Sequence, residues 1–310
     1  MPKKINFNDL GGWTANPKYV DEVLGSLPHP LLSVCGHQIK DSGRGKRVDL
    51  SQFVKKVFGK DINFEQTIGD CVSQSGSTLA TILLCIDAVQ NGSELDAVVA
   101  SEPLYALSRV ECGKSRIGTG DGSFGAWMGM ALKDYGILLR KKYGKYDLTK
   151  YDGNKAREWG MPNVGCPDEL EPICKLHQVR AITLVTDYYS AIDALANGYV
   201  INICSSVGFL AKTNASGQCV RDKNGFLYPS GSWGHSMSIT QYDDRDIPSV
   251  FIHNSCGTKW ITGPKRYDTD YEGGFWCMAE TFQKILEHND SFAYSNVLGF
   301  PPRELKLRLL

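Results

Sequence analysis

The spacing of hydrophobic residues changes about two-thirds of the way along the chain. In the first part, residues 78–89 are almost all apolar, which predicts a helix buried in the centre of a domain and ended by Gly92. Two more helices are predicted, each followed by a stop signal: residues 124–135 before Gly136, and residues 189–196 before Asn197-Gly198. The first part of the chain is therefore predicted to be mainly helical.

After Gly198 the apolar runs become short and rich in residues that favour strands. The runs cover residues 199–203, 236–241 and 249–253, and clusters of glycine, asparagine and aspartate separate them. This pattern predicts a twisted antiparallel sheet. Helices followed by strands indicate an α+β fold, in which helices and sheet are segregated.

Residues 1–44 differ from the rest, because glycine, proline and polar residues interrupt their short apolar pieces. We interpret them as an N-terminal extension on a domain that covers residues 45–310. The extension could be a tail, a docking arm into a larger assembly, or a pro-segment that blocks a cleft until a cut near Arg44 to Arg47 removes it.

The composition limits which binding partners and which cellular compartment we expect for the protein. The chain has 310 residues, with 34 Lys+Arg, 34 Asp+Glu and a formal net charge of +0, so its charge does not indicate binding to nucleic acid or to an anionic membrane. No stretch approaches the roughly 20 apolar residues of a membrane span. The ten cysteines lack regular spacing, and no secretory signal is seen. We expect mostly reduced thiols in the cytoplasm or another reducing compartment.

Three separated residues carry the chemistry. Cys71 stands at the head of the apolar helix, where free backbone N–H groups and the helix dipole favour a thiolate. His235 precedes a predicted strand, and Asn254 ends the next strand along the chain. An amide oxygen that accepts one ring N–H would fix the tautomer of the histidine and leave its other nitrogen facing the sulfur. Each residue alone is more often structural, but together they predict an activated thiol.

The surroundings of these residues resemble the papain-like cysteine peptidases in consistent order from about Val48 to Ala279. The segment Gly-Asp-Cys-Val-Ser around Cys71 is similar to the family's Gly-Ser-Cys-Trp-Ala. Further similar segments follow the family's order: Val48-Asp49-Leu50, Gly122 to Ile137, Ile192 to Val200, Gly234 to Asp244, Asn254 to Trp260 and Gly273 to Met278. Any one of these matches is weak, but so many in the right order are improbable by chance.

The resemblance implies a helical left domain and a β-rich right domain with the active cleft between them. It also implies an endopeptidase that acts on a protein or peptide and needs no cofactor or metal. Cys71 would be the nucleophile, His235 the base and Asn254 its orienter. Phe124 would wall the subsite for the second residue on the acyl side, and the backbone of Gly122 and Ser123 would pair with extended substrate.

The family pattern is broken at several positions. The family's oxyanion donor is a glutamine six residues before the nucleophile, where this chain has Glu65; Gln66 stands five before and could replace it if the loop is one residue shorter. The tryptophan that follows Asn-Ser in the family is Cys256, so its aromatic cover over the Asn–His pair is missing. The second glycine of the family's Gly-Gly is Ser123. These departures predict a divergent member.

Other functions remain open at this stage. The fold could serve as a structural or binding component of a larger assembly with weak or no activity, or the same thioester could pass its acyl group to an amine. A cell-wall amidase is disfavoured, because its three residues lie closer together in sequence. Cys166, Cys174 and His177 lack a fourth ligand at zinc spacing, so we expect no metal there. The glycine-rich segment before Ser123 lacks the Lys-Ser/Thr of a phosphate loop.

Overall fold

The computed structural model describes residues 10–28, 30–32, 42–209, 213–296 and 305. Within these residues the helices are α1 (Pro17–Leu24), α2 (Ser51–Phe58), α3 (Cys71–Asn91), α4 (Ser101–Ala106), α5 (Gly125–Met130), α6 (Gly153–Trp159), α7 (Glu171–Cys174), α8 (Tyr188–Ala196) and α9 (Ala279–Leu286). The π-helical turns Leu107–Cys112 and Ala131–Tyr135 extend α4 and α5, and the 3₁₀ turn Lys175–His177 extends α7.

The strands are β1 (Arg47–Asp49), β2 (Lys142–Tyr143), β3 (Tyr146–Asp147), β4 (Ala181–Leu184), β5 (Val200–Val207), β6 (Cys219–Val220), β7 (Ser232–Asp243), β8 (Ser249–His253), β9 (Ile261–Thr262), β10 (Gly274–Met278) and β11 (Phe292–Ser295). The main sheet has the order β10-β8-β7-β5-β11-β4, and β1 adds to β7. Every pair in this sheet is antiparallel. The α+β prediction is confirmed.

The helix α3 is the centre of the molecule. Four of its aliphatic side chains are fully buried: Leu79, Ile82, Leu83 and Ile86. Burial of each such side chain stabilises the fold by about 1.5–3 kcal/mol. By length and composition α3 could cross a membrane, but 83% of its most apolar window is buried inside the molecule, which is typical of a core helix.

The helix α3 is longer than the apolar run that predicted it. Its first two turns carry buried polar side chains, and several of these bond to the backbone of the same turns. Ser73 Oγ donates to Asp70 O over 2.9 Å, and Ser77 Oγ donates to Gln74 O over 3.0 Å. Gly92 ends the helix with a φ of 70°, as predicted.

The helix α1 of the N-terminal extension packs on the helical half of the molecule. The Tyr19 ring in α1 contacts the rings of Phe124 and Trp127, with centroid distances of 5.1 and 4.7 Å. Arg116 forms an ion pair with Glu22 over 2.7 Å. The segment Leu10 to Trp13, which precedes α1, enters the groove between the helices and the sheet and therefore belongs to the description of the site.

Candidate active site

Cys71, His235 and Asn254 are brought to this groove by three different elements. Cys71 is the first residue of α3, His235 lies on β7, and Asn254 directly follows β8. Because β7 and β8 are antiparallel neighbours, the two polar side chains meet, and His235 Nε2 lies 2.8 Å from Asn254 Oδ1. The other ring nitrogen, Nδ1, has no hydrogen-bond partner among the described residues. The imidazole therefore has one nitrogen oriented by an amide and one available for proton transfer.

The neighbours of the triad hold it in place. The backbone N–H of Ser255 donates to Asn254 Oδ1 over 2.8 Å, which fixes the side-chain rotamer of the asparagine. Burial raises the pKa of the Cys71 thiol, and hydrogen bonds from the backbone of Ser236, Gly12 and Val72 oppose that increase. The sulfur thus lies among N–H donors at the N-terminus of α3.

Trp233 covers the face of His235. The two rings are stacked, with centroids 3.7 Å apart and an angle of 10° between their planes. The position after Asn254-Ser255, where the family has tryptophan, holds the buried thiol of Cys256. Sequence reasoning missed Trp233. The predicted strand begins at residue 236, so the pattern did not place Trp233 beside His235.

Gln66 points its side-chain N–H groups into the groove. Its backbone N–H donates to Ser255 O over 2.9 Å, and its Oε1 accepts from Ser255 Oγ over 2.5 Å. Nε2 donates to Ile68 O and to Leu10 O, both at 2.9 Å. The carbonyl of Leu10 is the acceptor that comes from the N-terminal extension. Gln66 can therefore hold a carbonyl oxygen at this position, one residue away from the family's spacing.

The segment Leu10 to Trp13 lies along the groove and forms backbone hydrogen bonds with both of its walls. On the sheet side, the N–H groups of Gly12 and Trp13 donate to Gly234 O over 3.1 and 3.3 Å. On the helical side, the N–H of Ser123 donates to Gly12 O over 2.8 Å. Ser123 therefore pairs with an extended chain, and in this structure that chain belongs to the protein itself.

The direction of this segment is opposite to that of the substrate implied by the family resemblance. A substrate would place its acyl-side residues at Ser123 and continue, toward its C-terminus, to the carbonyl held by Gln66. In this structure Gly12 contacts Ser123, and Leu10, which is earlier in the chain, contacts Gln66. From Ser123 to Gln66 the segment therefore runs toward its N-terminus, whereas a substrate would run toward its C-terminus. A reversed chain does not present its peptide bond to the sulfur as a substrate does.

Glycines allow the close approach of the segment. A Cβ built on Gly12 would stand 2.0 Å from Gly69 O and 3.2 Å from Cys71 Sγ, so no other residue fits at this position. On the opposite wall, a Cβ on Gly234 would stand 2.3 Å from Trp13 O. Gly12 thus covers Cys71 at a separation that only glycine permits.

Trp13 anchors the segment in a pocket with a buried carboxylate. Its indole N–H donates to Asp290 Oδ2 over 2.7 Å, and its ring meets the edge of His288 with centroids 5.7 Å apart. Asp290 also accepts from the backbone N–H groups of Gly125 and Ala126 at the start of α5, over 2.8 and 2.7 Å. Burial raises the pKa of Asp290 to about 6, and these three hydrogen bonds oppose the increase.

The covered site favours a neutral pair. Burial raises the pKa of the Cys71 thiol to about 12, and the nearby Asp70 carboxyl adds to the increase. Burial lowers the pKa of His235 to about 4, although the Asn254 bond opposes this. The sequence predicted a thiolate from the helix dipole and the N–H groups. That prediction is wrong for the covered state, because desolvation outweighs these donors.

The remaining predicted residues lie on the helical wall. The N–H of Gly122 donates to the hydroxyl of Tyr105 over 3.0 Å, and its φ of 115° suits glycine. The buried ring of Phe124 is covered by Tyr19 of the extension. Among the described residues, no group of three or more histidine, cysteine, aspartate or glutamate side chains could hold a metal ion.

Solved structures of other proteins share the fold of this chain. No family model and no curated protein matches the sequence. Solved structures match along most of the chain. Xylellain, a cysteine protease from Xylella fastidiosa, is similar with a TM-score of 0.56 and 16% identity, covering 96% of this chain and 95% of that one. Procathepsin B from Trypanosoma congolense has a TM-score of 0.56 and 11% identity, covering 94% and 89%.

A third similar structure is the proform of a cysteine protease that is a major ragweed pollen allergen. Its TM-score is 0.54 at 14% identity, covering 98% of this chain and 77% of that one. The fold is therefore that of the papain-like cysteine proteases. At these identities the comparison shows the fold alone, and the predicted resemblance is confirmed at that level.

Proposed function

We propose that this protein is a cysteine endopeptidase that uses Cys71, His235 and Asn254. The observation that carries the proposal is the bond from His235 Nε2 to Asn254 Oδ1, which leaves Nδ1 without a partner in the groove where Cys71 heads α3. A buried structural histidine would have both nitrogens satisfied. A papain-like fold with this arrangement supports thiol-dependent hydrolysis over a binding module.

In the proposed reaction, Sγ of Cys71 bonds to the peptide carbonyl carbon while the thiol proton passes to His235 Nδ1. The carbonyl oxygen becomes an oxyanion that accepts from Gln66 Nε2–H and from backbone N–H at the start of α3. Collapse breaks the C–N bond, and the leaving amine takes the proton from His235. Water then bonds to the thioester carbon and gives a proton to His235; the C–S bond breaks, the acid leaves, and Sγ takes the proton back from His235.

Residues 1–44 act in this proposal as a pro-segment. Leu10 accepts at Gln66, Gly12 covers Cys71 and pairs with Ser123, and Trp13 is held by Asp290. Every substrate-contacting group implied by the resemblance is thus engaged by the extension. This supports a pro-segment over a free tail or a docking arm. It also supports the domain division near residue 45.

The cut that releases the segment is proposed between Ser42 and Lys46. Ser42 and the run Arg44 to Lys46 are exposed, whereas Arg47 begins β1 and pairs with Asp243. A cut before β1 leaves the main sheet intact. The substrate is a protein or peptide, and the proposed location is the cytoplasm or another reducing compartment, in keeping with free thiols at the nine described cysteines.

The test is peptide hydrolysis by the full-length chain carrying Gly12→Ala, which displaces the covering segment. A mixture of quenched fluorescent peptides is used as substrate, and the same chain with Cys71→Ser is the matched control. We expect hydrolysis that falls at least about 1,000-fold in the control. Absence of hydrolysis with an accessible thiol, or hydrolysis unchanged by Cys71→Ser, would contradict the proposal and favour a binding component.

A further inference from the structure

One aromatic ring near the site has no role in the reaction described above. Trp233 stacks on the His235 imidazole with centroids 3.7 Å apart and planes 10° from parallel. Both side chains are buried, with 3% and 1% of their surfaces exposed. They stand two residues apart on β7, where the pairing with β5 shifts register between Ser232 and His235, and their stacking shows that both side chains lie on one face of the strand. The contact thus lies within a central strand of the sheet.

The stack supplies a constraint that the hydrogen bond does not. The bond from Nε2 to Asn254 Oδ1 fixes one direction of the imidazole but leaves its plane free to turn about that bond. Parallel packing against the indole fixes the plane and hence the direction of Nδ1. Cys256 occupies the position of the tryptophan in the family that the chain resembles, and a thiol cannot supply this constraint.

The stack also favours the protonated ring. His235 must hold a proton between attack and departure of the amine, and burial opposes that charge. The groups around it bring little compensation. Asn254 from the end of β8 and Ser205 opposite it on β5 are neutral, and the Cys71 thiol on α3 is the titratable group across the groove. Attraction between the indole face and a cation is strongest for tryptophan and increases when the pair is desolvated.

We propose that Trp233 is a positioning residue for His235, which holds the plane of the imidazole and stabilises its protonated form. It supplies an aromatic cover on His235 in place of the tryptophan that Cys256 replaces after Asn254-Ser255. The inference rests on the proposed function only for its use in catalysis. The physical coupling between the two rings can be measured without any peptide hydrolysis.

The experiment is an NMR titration of the His235 ring in the full-length chain carrying Gly12→Ala, with the signal assigned by its loss in His235→Asn. Trp233→Leu keeps an apolar cover on His235 but removes the π-face; this variant and Trp233→Phe are compared with Trp159→Leu, at a buried tryptophan in a separate hydrophobic cluster. We expect the pKa of His235 to fall by about 0.5–1.5 units in Trp233→Leu, because the imidazole loses the π-face while it stays desolvated. In Trp233→Phe it should fall less, and in Trp159→Leu it should not move.

In peptide hydrolysis the alkaline limb of the kcat/KM profile should move to lower pH by the same amount. A pKa of His235 that is unchanged or raised in Trp233→Leu would overturn the inference, as would an equal fall in Trp159→Leu. If the shift occurs but no variant hydrolyses peptides, the proposed function fails while the coupling between Trp233 and His235 stands.

Discussion

Gly12 lies directly over Cys71, so close that a methyl group on its α-carbon would stand 3.2 Å from the Sγ atom and 2.0 Å from Gly69 O. The same segment is held on its far side by the bond from Trp13 to Asp290. These contacts make access to the sulfur depend on a segment whose fit can be changed by a single methyl group.

Gly12→Ala is expected to open the groove. Backbone and sulfur surround the added methyl, so the segment rather than the peptidase domain must move. We expect labelling of Cys71 by a thiol-directed epoxide to become at least about ten-fold faster at neutral pH. Mass spectrometry of the labelled peptide gives the rate. The control is Gly25→Ala, whose methyl would meet atoms at 3.4 Å or beyond and should leave the rate unchanged.

The reactivity of Cys71 should depend on pH differently in the covered and opened proteins. In the covered protein the pKa of the thiol is raised to about 12, so the thiolate is scarce at neutral pH and labelling by iodoacetamide should climb about ten-fold per pH unit up to about pH 11. In Gly12→Ala the rate of labelling should already be independent of pH near pH 7. A level profile in the wild-type chain would show that the covered thiol is ionised, contrary to this account.

Trp13→Phe keeps a ring in the pocket but removes the donor to Asp290. A hydrogen bond to a charged acceptor contributes about 1.5–3 kcal/mol, so labelling of Cys71 should become about 10- to 100-fold faster at pH 7.5. Burial raises the pKa of Asp290 to about 6, so below that pH the acceptor is neutral and its bond to the indole is weaker. The difference in labelling rate between Trp13→Phe and wild type should therefore decrease as the pH falls through 6. Trp159→Phe is the control, and a gap independent of pH would show that Asp290 does not hold the indole.

Gln66→Ala should weaken turnover more than binding. Its Nε2 faces the position of a carbonyl oxygen, and loss of one such donor costs about 100- to 1,000-fold in kcat, with KM changed little. Steady-state hydrolysis in the Gly12→Ala background gives both constants. Gln178→Ala is the matched control, because its side chain donates to Lys133 O and Asp134 O instead. If kcat is equal in the two variants, Gln66 does not stabilise the oxyanion as proposed.

Local sequence patterns predicted much of the fold because they reflect local physics. The strand over residues 249–253 was placed at its observed bounds, and α8 begins one residue before its predicted start. Strands β4 and β11 were not predicted. They lie side by side in the sheet although more than 100 residues separate them, and they pair only after long-range folding. Neither run has a distinct alternation of apolar and polar residues.

The site residues likewise fall into those that the sequence could predict and those that it could not. Cys71, His235, Asn254 and Gln66 could be proposed because short motifs surround them. The bond from Trp13 to Asp290 could not, because it joins the two ends of the chain and neither residue has a motif. The covering role of Gly12 depends on tertiary contact alone. The pKa directions of Cys71 and His235 could not be predicted for the same reason, since burial under the segment sets them.

The measurement that tests the central claim most directly is the rate at which an epoxide probe labels Cys71 in the Gly12→Ala chain, with and without His235→Ala. His288→Ala serves as the control for loss of an imidazole near the groove. We predict rapid labelling at Cys71 that falls at least about 100-fold in His235→Ala and is retained in His288→Ala. Labelling no faster than that of the other thiols, or labelling indifferent to His235, would contradict the claim that Cys71 and His235 form an activated nucleophile.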